Sequence, residues 1–142
     1  MSESRNSIRD CISLEGVGLH LGKPCRLTFR PAEAESGIVF RRLDLPGEPV
    51  TPALVENAVA SERRTQLGTG DGALHTVEHV LAAVAAHEID DLVIEMDGPE
   101  PPILDGSAQP FFDALARVGL SPRRGEVRYL EIPERLTVTD GE

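Results

Sequence analysis

The sequence predicts an α+β domain: a two-layer sandwich in which two helices pack on one face of a mostly antiparallel sheet. Three observations carry this prediction. Short alternating apolar runs, separated by glycine and proline turns, fill the first half of the chain. Two windows of helical apolar spacing fall in the second half, and a continuous apolar run lies between them. At 142 residues the chain is the size of one domain. Chains of ~150 residues bury roughly two-thirds of their unfolded surface, enough for a core without staples. With four Phe, one Tyr and no Trp, that core is expected to be built from Val, Leu, Ile and Ala.

The elements follow in order. Ile8, Asp10, Ile12 and Leu14 alternate as a first strand, which enters a glycine-rich bend at Gly16, Gly18 and Gly22. In "CRLTFRP" Leu27 and Phe29 alternate with Arg26, Thr28 and Arg30, a half-buried strand stopped by Pro31. "IVFRRLD" makes another strand and "PGEP" turns the chain. "ALVENAVASE" and "RTQLG" read as two further short strands before the loop "GTGDGA". Val77, Val80, Leu81 and Val84 then form the stripe of a helix lying on a sheet. "DLVIEMD" is a strand with an apolar centre, and four prolines stiffen the loop "GPEPPILDGSAQP". The second helix, "FFDALARVG", presents Phe111, Leu115 and Val118, with Ser107 as its N-cap and Gly119 as its stop. "VRYLEIPERLTVTDGE" reads as an extended strand pair or as a strand leaving the domain.

The balance of 14 basic against 24 acidic residues gives a net charge of −10. Such a surface repels phosphate backbones, which argues against a nucleic-acid partner. Thirteen of the basic residues are Arg and only Lys23 is Lys, read as a compositional bias and not a patch. Cys11 and Cys25 form no CxxC pair and are expected to be small buried residues. The N-terminal stretch lacks the apolar segment of a signal peptide, and no run approaches a membrane span. A soluble, cytoplasmic protein is expected.

The chemistry concentrates in "HTVEH", residues 75–79. On a helix His75 and His79 would share a face, with Glu78 about 100° round from His79. A carboxylate beside a metal-binding histidine suits a hydrolase, because it can take the proton of a water that a metal has acidified. The same pattern also fits a solvated helix face making weak contacts one turn apart. It fits the H-x-x-E-H metal motif of certain peptidases as well. That motif needs a further acidic ligand on a later helix, and Asp113, Glu126, Glu131 and Glu134 offer no convincing helical context. Ala82, Ala83 and Ala86 below the polar arc would leave a smooth surface on which another layer could sit.

"GVGLHLG" (16–22), "FRPAEAESGIVFRRLDLPG" (29–47), "HTVEHVLAAVAAHEIDDLVIEMDGPEPPILDGSAQPF" (75–111) and "RLTVTDGE" at the end together decide between these readings. From about residue 8 to 142 the chain resembles the UDP-3-O-acyl-N-acetylglucosamine deacetylases, zinc amidases of lipid A biosynthesis in Gram-negative bacteria. The resemblance implies two domains of similar topology, each a two-layer sandwich (ribosomal protein S5 domain 2-like), with the active site between their helix faces. Residues 1–142 match the first domain; the second is absent from this sequence.

By the same resemblance His79 is a zinc ligand, and Glu78 is the general base that activates water against the N-acetyl carbonyl. His20 and Thr65 match loop residues near the cleft, where they would bind substrate. His75 is implied to be a helix-start residue and not a ligand, while His87 suits the C-terminal dipole of its helix. Asp105 and Ser107 are expected to shape a turn and a cap. The other zinc ligands, a His-x-x-x-Asp pair, belong to the second domain, and no histidine follows residue 111 here. A catalytic zinc normally has three protein ligands. Zn(2+) would therefore be only partly ligated by this chain, which is expected to be inactive without the missing domain. The alternative is a non-catalytic one-domain relative, an interaction or regulatory module whose alanine face meets a self-association partner.

Overall fold

The computed structural model describes residues 4–141. In chain order the described elements are β1 (Ser4–Ile8), β2 (Ile12–Val17), β3 (Pro24–Pro31), β4 (Ile38–Arg42), β5 (Val50–Pro52), β6 (Ala58–Val59), β7 (Gln66–Leu67) and β8 (Leu74–His75). Helix α1 (Glu78–Ala86), β9 (Leu92–Met96), α2 (Gln109–Val118) and β10 (Leu120–Glu126) follow. Among the described residues the main sheet has the order β2-β3-β9-β4-β5, accompanied by a β1-β10 ribbon and a small β6-β7-β8 sheet. All pairs in the main sheet are antiparallel except β4 with β9. This is the expected α+β sandwich.

Alternation builds the sheet. Cys25, Leu27 and Phe29 of β3 turn inward while Arg26 and Arg30 stay exposed. Leu92, Ile94 and Met96 of β9 continue the inner face. On the outer face Glu95 is held by Arg30 at 2.7 Å and approached by Arg41 at 3.7 Å. The helices close the inner face through Val80, Ala83 and Val84 of α1 and Phe111, Ala114 and Leu115 of α2. The aromatic residues, though few, occupy the centre of this layer, contrary to the aliphatic core expected. Phe29, Phe40 and Phe111 are fully buried, and Phe29 meets Phe111 edge-on at 6.4 Å. Such a pair adds about 1 kcal/mol beyond its area.

His87 closes α1, as its position suggested, but its ring also joins the two helices. It stacks on Phe112 at 4.1 Å and places Nε2 2.9 Å from the Phe112 carbonyl oxygen. At the other helix, Asp105 accepts hydrogen bonds from the Ser107 amide and hydroxyl, and the Ser107 oxygen accepts one from the Gln109 amide at 3.1 Å. Gly119, at φ 72°, ends α2. The expected turn and stop are thus in place, but the helix begins two residues earlier than its apolar spacing indicates and its N-cap is Ala108, not Ser107, which instead bonds the Gln109 amide from one residue before the cap.

Several local expectations differ. The alternating run at 8–14 is split at Arg9–Cys11, where the Asp10 carboxylate accepts the Cys11 amide at 2.8 Å. Ile8, the last residue of β1, pairs with Leu120 of β10, while Ile12 and Leu14 of β2 pair with β3 in the main sheet. Cys11 falls in that bend and is exposed, whereas Cys25 is buried. Burial pushes the Cys25 thiol up to about 12, so it packs as a small apolar group. The segment from 53 to 62 contains a 3₁₀ turn, Val55–Asn57, and a two-residue strand instead of one continuous strand. Residues 127–141 have no strand, and Tyr129, Leu130, Ile132, Leu136 and Val138 are exposed. Among the described residues no helix is long and apolar enough to cross a membrane.

One buried ion pair fixes the β1-β10 ribbon to the main sheet. Arg5 donates to both oxygens of Asp91, at 2.9 and 2.8 Å, and to the Asp90 carbonyl at 3.2 Å. The Gly37 amide donates to the same carboxylate at 2.9 Å. Burial pushes the Asp91 carboxyl up, but the bonds from Arg5 and Gly37 outweigh it, and its pKa lies below the ordinary 3.8. Asp91→Asn is therefore expected to destabilise the fold by roughly 3 kcal/mol at neutral pH, because Arg5 loses its partner. Below pH 3.8 the unfolded chain binds the proton first, so the stability due to Asp91 drains away as pH falls through its folded pKa. Urea melts of both proteins across this range should show the gap closing on acidification; a constant gap would contradict the assignment.

Candidate active site at the start of the first helix

The helix that carries Glu78 and His79 begins later than the sequence pattern suggests. His75 belongs to β8, where it pairs with Gln66, and its amide donates to the Pro99 carbonyl at 2.9 Å. Thr76 follows in the left-handed region at φ 56°, which breaks the backbone direction before α1 opens at Glu78. His75 and His79 therefore do not share a helical face. The two-histidine peptidase arrangement does not form, because its first histidine is held in a strand. The His75 ring sinks toward the protein, with Nδ1 buried and unpartnered among the described residues. Burial, and then the nearby charge of Arg64, lower its pKa below 6.5.

Glu78 and His79 occupy the first turn of α1, both half-buried. One Glu78 oxygen, Oε2, accepts the Thr65 amide at 3.1 Å, and the Thr65 carbonyl accepts the Val77 amide at 3.3 Å. Thr65 meets Glu78 through its backbone. Its side chain is exposed. Leu81 and Val84 help lay the helix on the core, and Ala83 is buried with them. Ala82, Ala85 and Ala86 are exposed, so the smooth face runs from Glu78 through Ala82 to Ala86 and excludes Ala83.

His20 lies on an exposed turn beside the 60–66 loop. Together with Ser61, Arg63, Arg64 and Gln66 it lines a cleft of about 690 Å³. The loop is held by the Ser61 hydroxyl, which donates to the Arg64 carbonyl at 2.5 Å, and Arg63 sits at φ 58°. The structure thus brings Thr65 to Glu78 and sets His20 against the loop that carries Thr65. Among the described residues no three His, Cys, Asp or Glu side chains come close enough to hold a metal ion together.

Sequence reasoning missed one residue of this region, Glu100. Its side chain is almost wholly buried between the His20 turn and the lead-in to α1. Oε1 accepts the His20 amide at 3.0 Å and the Thr76 hydroxyl at 2.7 Å; Oε2 accepts the Leu21 amide at 2.9 Å and a second branch from His20 at 3.1 Å. Burial pushes this carboxyl up, but the two amides and the hydroxyl outweigh it and hold its pKa below 4.5. The available signal was a lone charge among prolines in "PEPP", in a segment otherwise read as a rigid loop.

The sequence matches the family described as UDP-3-O-acyl N-acetylglycosamine deacetylase (LpxC) over residues 5–142. A UDP-3-O-acyl-N-acetylglucosamine deacetylase of Bdellovibrio bacteriovorus is 41% identical over 138 residues, covering 97% of this chain and 46% of that protein. A bifunctional enzyme LpxC/FabZ of Chlorobaculum tepidum is 43% identical over 132 residues, covering 93% of this chain and 28% of its own length. A deacetylase of a Geobacter species is 42% identical over 130 residues, 92% of this chain and 43% of that protein. The chain spans less than half the length of these relatives. It belongs to the UDP-3-O-acyl N-acetylglycosamine deacetylase family.

Proposed function

We propose that this chain supplies one half of the active site of a zinc-dependent deacetylase that removes the N-acetyl group of UDP-3-O-(3-hydroxyacyl)-N-acetylglucosamine in lipid A biosynthesis. The observation that carries this reading is the pair Glu78–His79 on the first turn of α1, at the end of an open alanine face. Family membership supports it, because relatives with that printed name extend well beyond the length matched here.

His79 is the donor this chain offers to zinc, and the remaining donors come from a second half of the site packed over the α1 face. When bound, zinc would supply Lewis acidity, polarising a carbonyl and lowering the pKa of water toward ~7. Glu78 takes the proton from the attacking water. Its Oε2 is tethered by the Thr65 amide, which leaves Oε1 to receive that proton. The water oxygen bonds to the N-acetyl carbon, collapse of the tetrahedral adduct breaks the C–N bond, and the proton that Glu78 took passes to the departing nitrogen, giving the free amine and acetic acid, which ionises to acetate. His20 and the 61–66 loop form the near wall of the cleft and contact the substrate. A carboxylate oriented by one amide at the start of a helix, with its other oxygen left open, suits a general base.

Assembled with the remaining half of the site, the chain should release acetate from the UDP-amino sugar, and alone it should release none. A mixture of two folded halves without turnover would count against the reading. Glu78→Gln in the active assembly is expected to lower kcat about a hundredfold to ten-thousandfold, with the fold unchanged by circular dichroism. His79→Ala is expected to lose bound zinc, measured by metal analysis after dialysis. Chelation of the unsubstituted assembly should abolish turnover, and added zinc should restore it.

A further inference from the structure

Apart from the base and the metal donor, one group ties the site together. The Glu100 carboxylate binds two segments that lie 80 and 24 residues away in sequence, the His20 turn and Thr76. Thr76 directly precedes Val77 and Glu78, and its left-handed backbone sets the direction in which α1 departs. The neighbouring Pro99 carbonyl fixes the His75 amide, so residues 99 and 100 grip both ends of the 75–76 step. The approach is close. A Cβ on Gly18 would overlap a Glu100 carboxylate oxygen, and one on Gly16 would stand 2.8 Å from the Pro102 Cβ. Gly18 is not at positive φ, so its need for glycine is one of space.

We propose that Glu100 is a positioning residue: its buried carboxylate sets the His20 turn at a fixed distance from the Glu78-bearing end of α1. The turnover part of this inference rests on the deacetylase reading; the positional part does not. Glu100 touches neither water nor substrate in the chemical step. It acts through His20 and through the backbone that aims Glu78. Glutamine at this position can still serve, because its carbonyl accepts the amides while its NH₂ donates to a Thr76 hydroxyl rotated to accept. Alanine leaves two amides and a hydroxyl without a partner.

The test compares Glu100→Ala, Glu100→Gln and Gly18→Ala by backbone amide exchange in the chain, and by kcat and KM in the active assembly. In Glu100→Ala and Gly18→Ala, exchange at His20 and Leu21 should rise at least tenfold while the β3 and β9 amides stay protected. kcat/KM should fall at least tenfold, and Glu100→Gln should return both readouts to within about threefold of the unsubstituted protein. Unchanged exchange at His20 and Leu21 in a folded Glu100→Ala would overturn the proposal. So would losses that follow global unfolding and are not rescued by glutamine. Should Glu100→Ala fail to fold, Gly18→Ala and Glu100→Gln carry the same comparison. If the unsubstituted assembly has no amidase activity, the deacetylase reading fails, and amide exchange alone decides the positional claim.

Discussion

A carboxylate taken out of water keeps its charge only where several donors converge on it, and Glu100 imposes that condition on the whole region around α1. Its donors come from a hairpin turn and from the step before a helix, segments brought together only when the chain from 98 to 104 is laid between them. That placement explains local features with no other common cause. Gly16 in β2 and Gly18 in the turn stand where side chains would collide, a threonine adopts a left-handed backbone, and Pro101 and Pro102 are buried in what the sequence presents as a loop. The hydrogen bond from the Ile103 amide to the Val17 carbonyl, at 2.9 Å, continues the same seam.

Elsewhere the acidic chain solves its charge problem with arginine forks. Arg5 spans the Asp91 carboxylate, and Arg42, almost fully buried, clasps Asp44 at 2.8 and 2.7 Å while donating to the Ala73 carbonyl at 2.9 Å. Arg5 adds to the backbone bonds that Asp90 and Asp91 make to Asn6 of β1, and Arg42, held by Asp44, reaches the Asp71 and Ala73 carbonyls of the 70–73 loop. A lysine has one charged point and cannot span two oxygens while also reaching a carbonyl. The preponderance of arginine over lysine, read from composition as a bias, thus has a structural use at these positions.

The helix layer has two different sides. Toward the sheet, Val80, Ala83, Val84, Phe111 and Leu115 form a close-packed core. On the other side, small side chains lead away from a half-buried glutamate and histidine, a face too flat to enclose a substrate by itself. The proposed division of the catalytic centre is compatible with that shape.

The main elements were legible in the sequence where one periodicity dominated. The alternation in β3, the apolar run in β9 and the helical stripe from Val77 to Val84 each report a face that must be buried, and burial is a local property of side-chain order. The turn at Asp105–Ser107 was legible for the same reason, since neighbours in sequence make its geometry, whereas Glu78 and His79 were singled out by a family resemblance spread over the whole chain. What the order of residues could not give were contacts made across the fold. The break between His75 and α1, the split of the first strand at Arg9–Cys11, the pairing of β1 with β10 and the role of Glu100 all depend on partners tens of residues away. A hydrogen bond between distant segments leaves no period in the sequence, so only the tertiary arrangement decides which polar groups are buried together and which histidine lies in a strand instead of a helix.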